Sequence, residues 1–450
     1  MNGGAEKTWG NIMVNPTTPS SPSAGRRRTR ARFGILALIS IGTMINYLDR
    51  TVLGVAAPAL RTDLAIDAAT MGVVFSAFSW TYAAAQIPGG VFLDRFGAKI
   101  TYFISVTFWS LFTLAQAFAV GLTSLVFYRF GLGLSEAPCF PTNSRIVGTW
   151  FPQQERATAT GVYTVGEYVG LALFSPFLFW LMAAYSWHAP FIVVGVVGLA
   201  FAVVWLWLFR EPRDHASVNE AELDHIAEGG GLALHAHDRV PFSWANVGKL
   251  LSYRQIWGAG IGQFAGNSTL VFFLTWFPTY LATERHMAWV KVGFFAVLPF
   301  IAAAVGVLAG GWVSDKLLKS TGSANIARKA PIIAGLLLAS LIVSANYVDS
   351  DNAVIAILSV AFFGQGMVGL GWTVISDIAP KALMGLTGGL FNFASNLAGI
   401  VTPIVIGYIV SATGSFVGAL AFIGAVALLG AISYIFILGD VRRLEIAGES

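Results

Sequence analysis

Charge is scarce in this chain: of 450 residues only 11% are acidic or basic, less than half the roughly 25% of a soluble globule. Cysteine is scarcer still. Cys139 stands alone, which excludes an intramolecular disulfide, a cysteine-ligated iron–sulfur cluster and a cysteine-rich zinc site, and leaves the redox compartment unread. Of six histidines, His215, His225, His235 and His237 share one polar segment. No carboxylate–histidine framework surrounds them, so they read as solvated loop residues, not metal ligands. Neither a nucleophile–base constellation nor a phosphate loop argues for an enzyme, and no cofactor is implied. What remains is apolar: 56% of residues are hydrophobic and the mean hydropathy is +0.70.

Apolar runs of about 20 residues, the length that crosses roughly 30 Å of hydrocarbon as helix, recur near 33–58, 71–92, 99–119, 122–146, 157–182, 188–209, 254–281, 289–315, 328–346, 352–378, 383–411 and 416–438. They are continuous, whereas barrel strands alternate over about ten residues. The predicted fold is therefore an all-α integral membrane protein of twelve transmembrane helices in two pseudo-symmetric six-helix bundles.

The predicted units are a disordered tail 1–32, a first bundle 33–209, a linker 210–253, a second bundle 254–438 and a tail 439–450. The net charge of +4 does not point to nucleic acid, because the basic residues lie in tails and short connections. Arg26, Arg27, Arg28, Arg30 and Arg32 precede the first span, Arg95 and Lys99 join spans 2 and 3, and Arg442 and Arg443 end the chain. By the positive-inside bias both termini are expected in the cytoplasm. In the linker, Ser217 and Glu220 have capping-box spacing, and a short helix should follow and stop at Gly229 to Gly231.

The bundles carry an echo. Gly90, Asp94 and Arg95 follow span 2, and Gly311, Asp315 and Lys316 follow span 8 at a displacement of 221 residues, as expected of parallel repeats. A gating role is predicted for both copies: the glycine permits close helix approach, and the acid and base pair across a tight loop and release with conformation.

Ionisable residues inside lipid cost several kcal/mol each unless they pair or line a wet cavity, so they mark a transport path by default. Span 1 carries Asp49 and Arg50, span 4 carries Arg129 and Glu136, and span 5 carries Glu167. At 1.5 Å per residue, Asp49, Arg50 and Arg129 fall roughly 10 to 14 Å from the outer helix ends, and Glu136 and Glu167 about 15 Å from the inner ends. This predicts two layers. Arg129 suits an anion and Glu136 a proton, while Arg50 adds a second guanidinium and Asp49 neutralises it or titrates. The bland alternative is a pair of static salt bridges that fix helix packing. Glu167 reads equally as a second proton site, a partner for substrate hydroxyls or a structural partner of Arg129.

Neutral groups complete a hydrophilic site: Tyr47, Tyr82 with Gln86, Gln263 with Asn267, and Asn392, Ser395 and Asn396. Several hydroxyl partners suit a polyol-like ligand, although each alone reads as helix-to-helix hydrogen bonding. Trp372, beside Gly369 and Gly371, offers either a flat face to a sugar chain or ordinary packing.

NYLDRTVLGVAAP, GVVFSAFSWTYAAAQIPGGVFLDRFGAK, YRFGLGLSEAPCFPTNSRIVGTWFP and GLTGGLFNFASNLAGIVTPIVIGYI resemble the major facilitator superfamily, and within it the anion:cation symporters for bacterial sugar acids. The resemblance covers nearly everything after the first tail. It implies proton-driven uptake of a sugar acid anion in the bacterial inner membrane by a monomer. It further implies Asp49 and Glu136 as the titrating pair, Arg50 and Arg129 on the substrate carboxylate, and Tyr47, Tyr82, the position of Glu167, Trp372 and Asn392 lining the cavity. The first half looks most like galactonate transporters and the last third like glucarate and galactarate transporters. Glu167 departs from the pattern, since those relatives usually carry Gln there. An anion exchanger or uniporter would use the same arginines. A non-transporting receptor would need a larger cytoplasmic effector region than the linker provides.

Overall fold

The computed structural model of the chain describes residues 28–231, 243–380 and 383–444. Its spans are helices throughout, because backbone polar groups inside hydrocarbon must be satisfied within the segment. Span 1 is Ala31–Asp63, span 5 Gln153–Ala184, span 6 His188–Leu208, span 8 Trp289–Thr321 and span 11 Met384–Thr413. Span 2 begins as Ala68–Ala84 and passes into the run Gln86–Gln116, which continues as span 3 beyond a tight corner at Gly97, where φ is +74°. Span 9 is Ala324–Ser340 extended by a 3-10 turn to Tyr347, and span 12 is Val417–Ile432 extended by a π turn to Ile437.

Several spans are interrupted. Span 4 is Leu122–Glu136 followed by Cys139–Trp150, and span 10 is Asp351–Val368 followed by Gly371–Ile378. Span 7 is Arg254–Thr275 followed by Phe277–Thr279 and a π turn, Tyr280–Glu284. Among the described residues nine helices are by themselves long and apolar enough to cross a membrane. The breaks in spans 2 and 4 and the polar Gln263 and Asn267 in span 7 account for the other three. Spans 4 and 10 occupy equivalent places in the two bundles, so the breaks follow the repeat. Discontinuous helices at membrane depth are tolerated where they line a cavity.

The bundles meet through spans 2 and 11 and through spans 5 and 8. The close contacts cluster toward the face opposite the linker. Gly72 packs against the backbone of Pro403, and Gly407 against that of Ala68. Phe75 meets Trp276 edge-on, and Phe179 stacks on Trp289. The seam is closed as deep as Ser79 against Gly399. One apolar core joins both bundles on the far side, whereas on the linker side each bundle has its own. The molecule is sealed at the far face and divided at the linker face.

The ends of the units differ from expectation. Residues 1–27 and 445–450 lie outside the described residues, but residues 28–32 are part of the folded body. Ala31 and Arg32 open the first helix, and Thr29, the Ala31 amide and Arg32 all donate to the Glu222 carboxylate. At the other end Leu444 donates its amide to Ile378 and Val441 to Asn325, so 439–444 is docked across spans 9 and 10. The linker helix is Glu220–Glu228, capped by Asn219 and not Ser217, because the Asn219 carbonyl accepts from the Glu222 amide. It ends at Gly229 to Gly231, with Gly230 at φ +77°. A second helix, Trp244–Leu251, was not foreseen. His215 packs edge-on against Trp150, and His225 lies 3.2 Å from Glu155; His235 and His237 lie outside the described residues.

Candidate functional site

The charged side chains converge where the closed seam ends. Arg50 of span 1 holds Glu136 of span 4, with Nε 2.8 Å from Oε2. Glu136 is fully buried and the Arg50 side chain is 15% exposed. Glu136 is the last residue before the span 4 break, and Pro138 makes that break by lacking an amide proton for the helix ladder. The packing around Arg50 is aromatic. Its guanidinium carbon lies 5.0 Å from the Tyr47 ring centre, 4.9 Å from Phe78, 4.9 Å from Tyr82 and 6.0 Å from Phe140. Such faces attract a cation while excluding water.

Arg129 lies 5.2 Å from the same Phe78 ring, so this side chain lies against both guanidinium groups. The backbone carbonyl of Phe75 accepts from one Arg129 nitrogen at 3.5 Å, while its Nε and Nη1 are buried without a protein partner. Arg50 Nη2 and Glu136 Oε1 are likewise unpartnered. Buried guanidinium donors left free beside an open seam are what an anionic ligand needs.

The two-layer arrangement expected from helix rise is not what forms. The long Arg50 side chain leaves the level of its own backbone and joins Glu136, so the outer and midplane layers merge. Asp49, whose two oxygens are buried, lies within reach of Glu136 and Arg50 and also of Thr113 and Trp109 of span 3. Glu167, 4% exposed, lies beside Tyr47 and Arg50 and not against Arg129, which removes the reading of it as a structural partner of Arg129.

The second bundle contributes neutral groups. Asn267 donates to the Ser395 carbonyl at 2.6 Å and ties span 7 to span 11. Asn396 donates to the Asn392 carbonyl of its own helix. Gln263 Oε1 is buried and unpartnered and lies against Gly371 at the span 10 break. Trp372, 46% exposed, meets Phe391 edge-on at 4.9 Å. Gln86, just after the span 2 break, has its amide nitrogen buried without a partner.

At the linker face the close approach expected of the repeated glycine motif falls one residue earlier. A side chain at Gly90 or Gly311 would meet open space, so neither provides the close approach assigned to it. Their neighbours do: a Cβ at Gly89 would lie 3.1 Å from Pro138, and one at Gly310 would lie 3.1 Å from Met367. The 221-residue spacing is kept and the register moves by one. The acids pair across helices and not only within their loops. Asp94 lies 3.6 Å from Arg145, and Asp315 lies 4.0 Å from Arg328, which also holds Asp377 at 3.0 Å. Arg95 and Lys316 sit over the rings of Phe96 and Trp312.

Sequence reasoning missed Phe78, Phe140 and Asn46. Phe78 precedes Tyr82 by one turn, and Asn46 precedes Asp49 by three residues, so helical spacing from the chosen residues would have found both.

Residues 39–403 match the family model described as Major Facilitator Superfamily. The chain is 46% identical to a D-galactonate transporter of Escherichia coli O6:H1, over 96% of this chain and 99% of that one. It is 44% identical to a probable galactarate/D-glucarate transporter of Escherichia coli K12, over 94% and 97%, and 32% identical to a hexuronate transporter of Bacillus subtilis, over 87% and 91%. Among solved structures it superposes on a bacterial homolog of the human lysosomal transporter Spinster in an inward-facing, unoccupied conformation. There the TM-score is 0.68 at 18% identity, covering 91% of this chain and 95% of that one, a likeness of fold. Twelve helices in two bundles around buried charges, together with these matches, place the chain in the major facilitator superfamily, a family of membrane transporters.

Proposed function

We propose that the chain imports a sugar acid anion together with protons across the bacterial inner membrane, by rocking its two bundles about the charged centre. The observation that carries this is the Arg50–Glu136 pair at 2.8 Å beside an Arg129 with two uncommitted donors. An acid that holds a guanidinium in one protonation state and frees it in the other links proton binding to anion binding. Protonation of Glu136 removes the charge that holds Arg50, and the guanidinium then takes the substrate carboxylate with Arg129. Deprotonation restores the pair and expels the anion. Asp49 is the second proton site. Glu167 beside Tyr47 is placed to accept from a substrate hydroxyl or to carry a further proton.

The sugar acid class is supported by the relatives' names, D-galactonate and galactarate/D-glucarate transporters. Gln263, Trp372 and Asn392 of the second bundle would meet the polyol end. With the linker face in the cytoplasm, as the basic connections suggest, the conformation described is open inward, where substrate leaves. Asp94–Arg145 and the Arg328 cluster then lie within single bundles and are free to rearrange when the inner face closes. The chain is read as acting as a monomer, with both termini cytoplasmic.

The test is uptake into proteoliposomes, with galactonate, gluconate, glucarate, galactarate and hexuronates in competition and with or without an imposed proton gradient. Accumulation of at least one of them that collapses with a protonophore is expected. No response to any sugar acid would sink the substrate class, and uptake indifferent to the protonophore would indicate exchange or uniport.

A further inference from the structure

At the deep end of the closed seam a hydrogen bond runs from one bundle to the other. Tyr168 of span 5 donates its hydroxyl to Oε1 of Gln365 of span 10, at 3.4 Å. Both side chains are nearly out of water, Tyr168 at 5% exposure and Gln365 at 7%. The Tyr168 ring also meets Phe362 of span 10 edge-on at 5.8 Å. Phe362 in turn stacks on Phe273 of span 7 at 3.9 Å and meets Phe300 of span 8 edge-on at 5.6 Å. Tyr168 therefore docks on a ring that spans 7 and 8 hold in place.

Tyr168, Ala172, Pro176 and Phe179 recur at helical spacing along one face of span 5. The outer two meet span 8, where a Cβ at Gly293 would lie 3.1 Å from Pro176 and 3.0 Å from Phe179. Tyr168 is the deepest of the four, roughly 24 Å from the outer helix end at Ala184 by the rise of 1.5 Å per residue. Its neighbour Glu167 is turned about 100° away on the helix and lies beside Tyr47 and Arg50 of the anion site. Gln365 sits one turn before span 10 breaks after Val368. The bond thus stands between the anion site and the sealed half of the seam. Its two ends belong to different bundles, so rocking must part them before the site can open to the far face, and a hydrogen bond in so dry a place is stronger than one in water.

We propose that Tyr168 and Gln365 form the latch of the far-face gate: their bond holds the bundles together above the anion site in the inward-open state and parts when the far face opens. The latch rests on the rocking of the bundles proposed above. Tyr168 and Gln365 are positioning residues in this role, since they set the orientation of the bundles and do not handle the proton or the anion.

Tyr168→Phe keeps the ring on Phe362 and removes the donor, and Gln365→Met keeps the length and removes the acceptor. Each would be made in the full chain carrying Ala172→Cys, a buried position one turn outward from Tyr168. Right-side-out membrane vesicles would then be labelled with a membrane-impermeant maleimide in the absence of substrate. Labelling should be about fivefold faster in either variant, the population change that loss of one neutral hydrogen bond brings, and no faster in the double variant than in the singles. Native Cys139 is fully buried inside the first bundle, so without Ala172→Cys the same variants should label at the wild-type rate. Unchanged or slower labelling in either single variant overturns the latch. So does a double variant whose effect is the product of the two, the mark of independent packing changes. Faster labelling of Cys139 in step with Ala172→Cys also overturns it, because the fold would then have loosened and not the gate opened. A chain that takes up no sugar acid is a different result: it fails the substrate class and leaves these labelling rates as expected.

Discussion

The two bundles share an architecture and divide the chemistry unequally. In the first, Asp49, Arg129, Glu136 and Glu167 are buried and Arg50 is nearly so, within one cluster of helices. In the second, the equivalent region offers Gln263, Asn267, Trp372 and Asn392, with no charge among them. The second bundle's polar groups are also partly committed, as in the Asn267–Ser395 tie at 2.6 Å, whereas the first leaves guanidinium and carboxylate atoms unpaired. Charge changes with proton binding and amides do not, so the contrast supports the proposed division, with coupling in the first bundle and recognition of neutral substrate groups in the second.

The largest effect expected is from Arg50→Ala. It leaves Glu136 buried without its partner and removes a carboxylate ligand, a loss of about 3 kcal/mol or more. Initial uptake rates should fall at least about a hundredfold, measured at matched expression. Near-normal uptake would refute the role of the first bundle. Glu136→Gln should reduce gradient-driven accumulation by about tenfold or more while counterflow persists, because a neutral amide imitates the protonated acid. If that variant still concentrates substrate, coupling does not run through Glu136.

For the second bundle, Gln263→Ala should raise the KM about tenfold, the loss of one hydrogen bond to a neutral group, with the accumulation ratio retained. Loss of coupling in this variant would erase the contrast between the bundles. A smaller, few-fold effect is expected from Gly72→Ala. Its methyl would press on the Pro403 backbone and favour the state in which the far face opens, read as faster thiol labelling of a cysteine introduced near Trp276.

The smallest effect on transport is expected from the linker, whose contribution is to stability. Glu222 is buried, which by itself raises its pKa; hydrogen bonds from Thr29, Arg32 and the Ala31 amide outweigh this and hold it below the usual carboxylate range. A depressed carboxylate contributes stability that is present above its unfolded pKa, about 4.3, and is lost as pH falls through the folded value. Thermal stability in detergent should therefore drop on acidification below about pH 4.3. Glu222→Gln should lower stability at pH 7 by about 1 to 3 kcal/mol and flatten this acid limb. An identical acid limb in wild type and variant would show that the clasp contributes nothing.

The sites legible in the sequence are those that follow from helix depth. Asp49, Arg50, Arg129, Glu136 and Glu167 stood out because lipid penalises charge wherever it lies on a helix. Their mutual arrangement was not legible, since the flexible Arg50 stem carries its guanidinium to Glu136 of another helix. The glycine that makes the close approach was misplaced by one residue, because spacing identifies a motif but not which of two adjacent glycines turns toward Pro138. The capping residue of the linker helix was likewise misassigned, since Ser217 and Asn219 offer similar oxygens and only the chain path selects between them.

The sequence alone determined the membrane class, the twelve spans, the duplication and the identity of the buried charges. These depend on the transfer of each residue into hydrocarbon and on local helix periodicity, both functions of composition and order. Tertiary structure decided which carboxylate holds which guanidinium, that Asp49 comes within reach of span 3, and that the seam is shut at one face only. Those outcomes depend on helices brought together from distant parts of the chain, where packing of side chains such as Phe78 and Pro138 selects one arrangement among several of similar local energy.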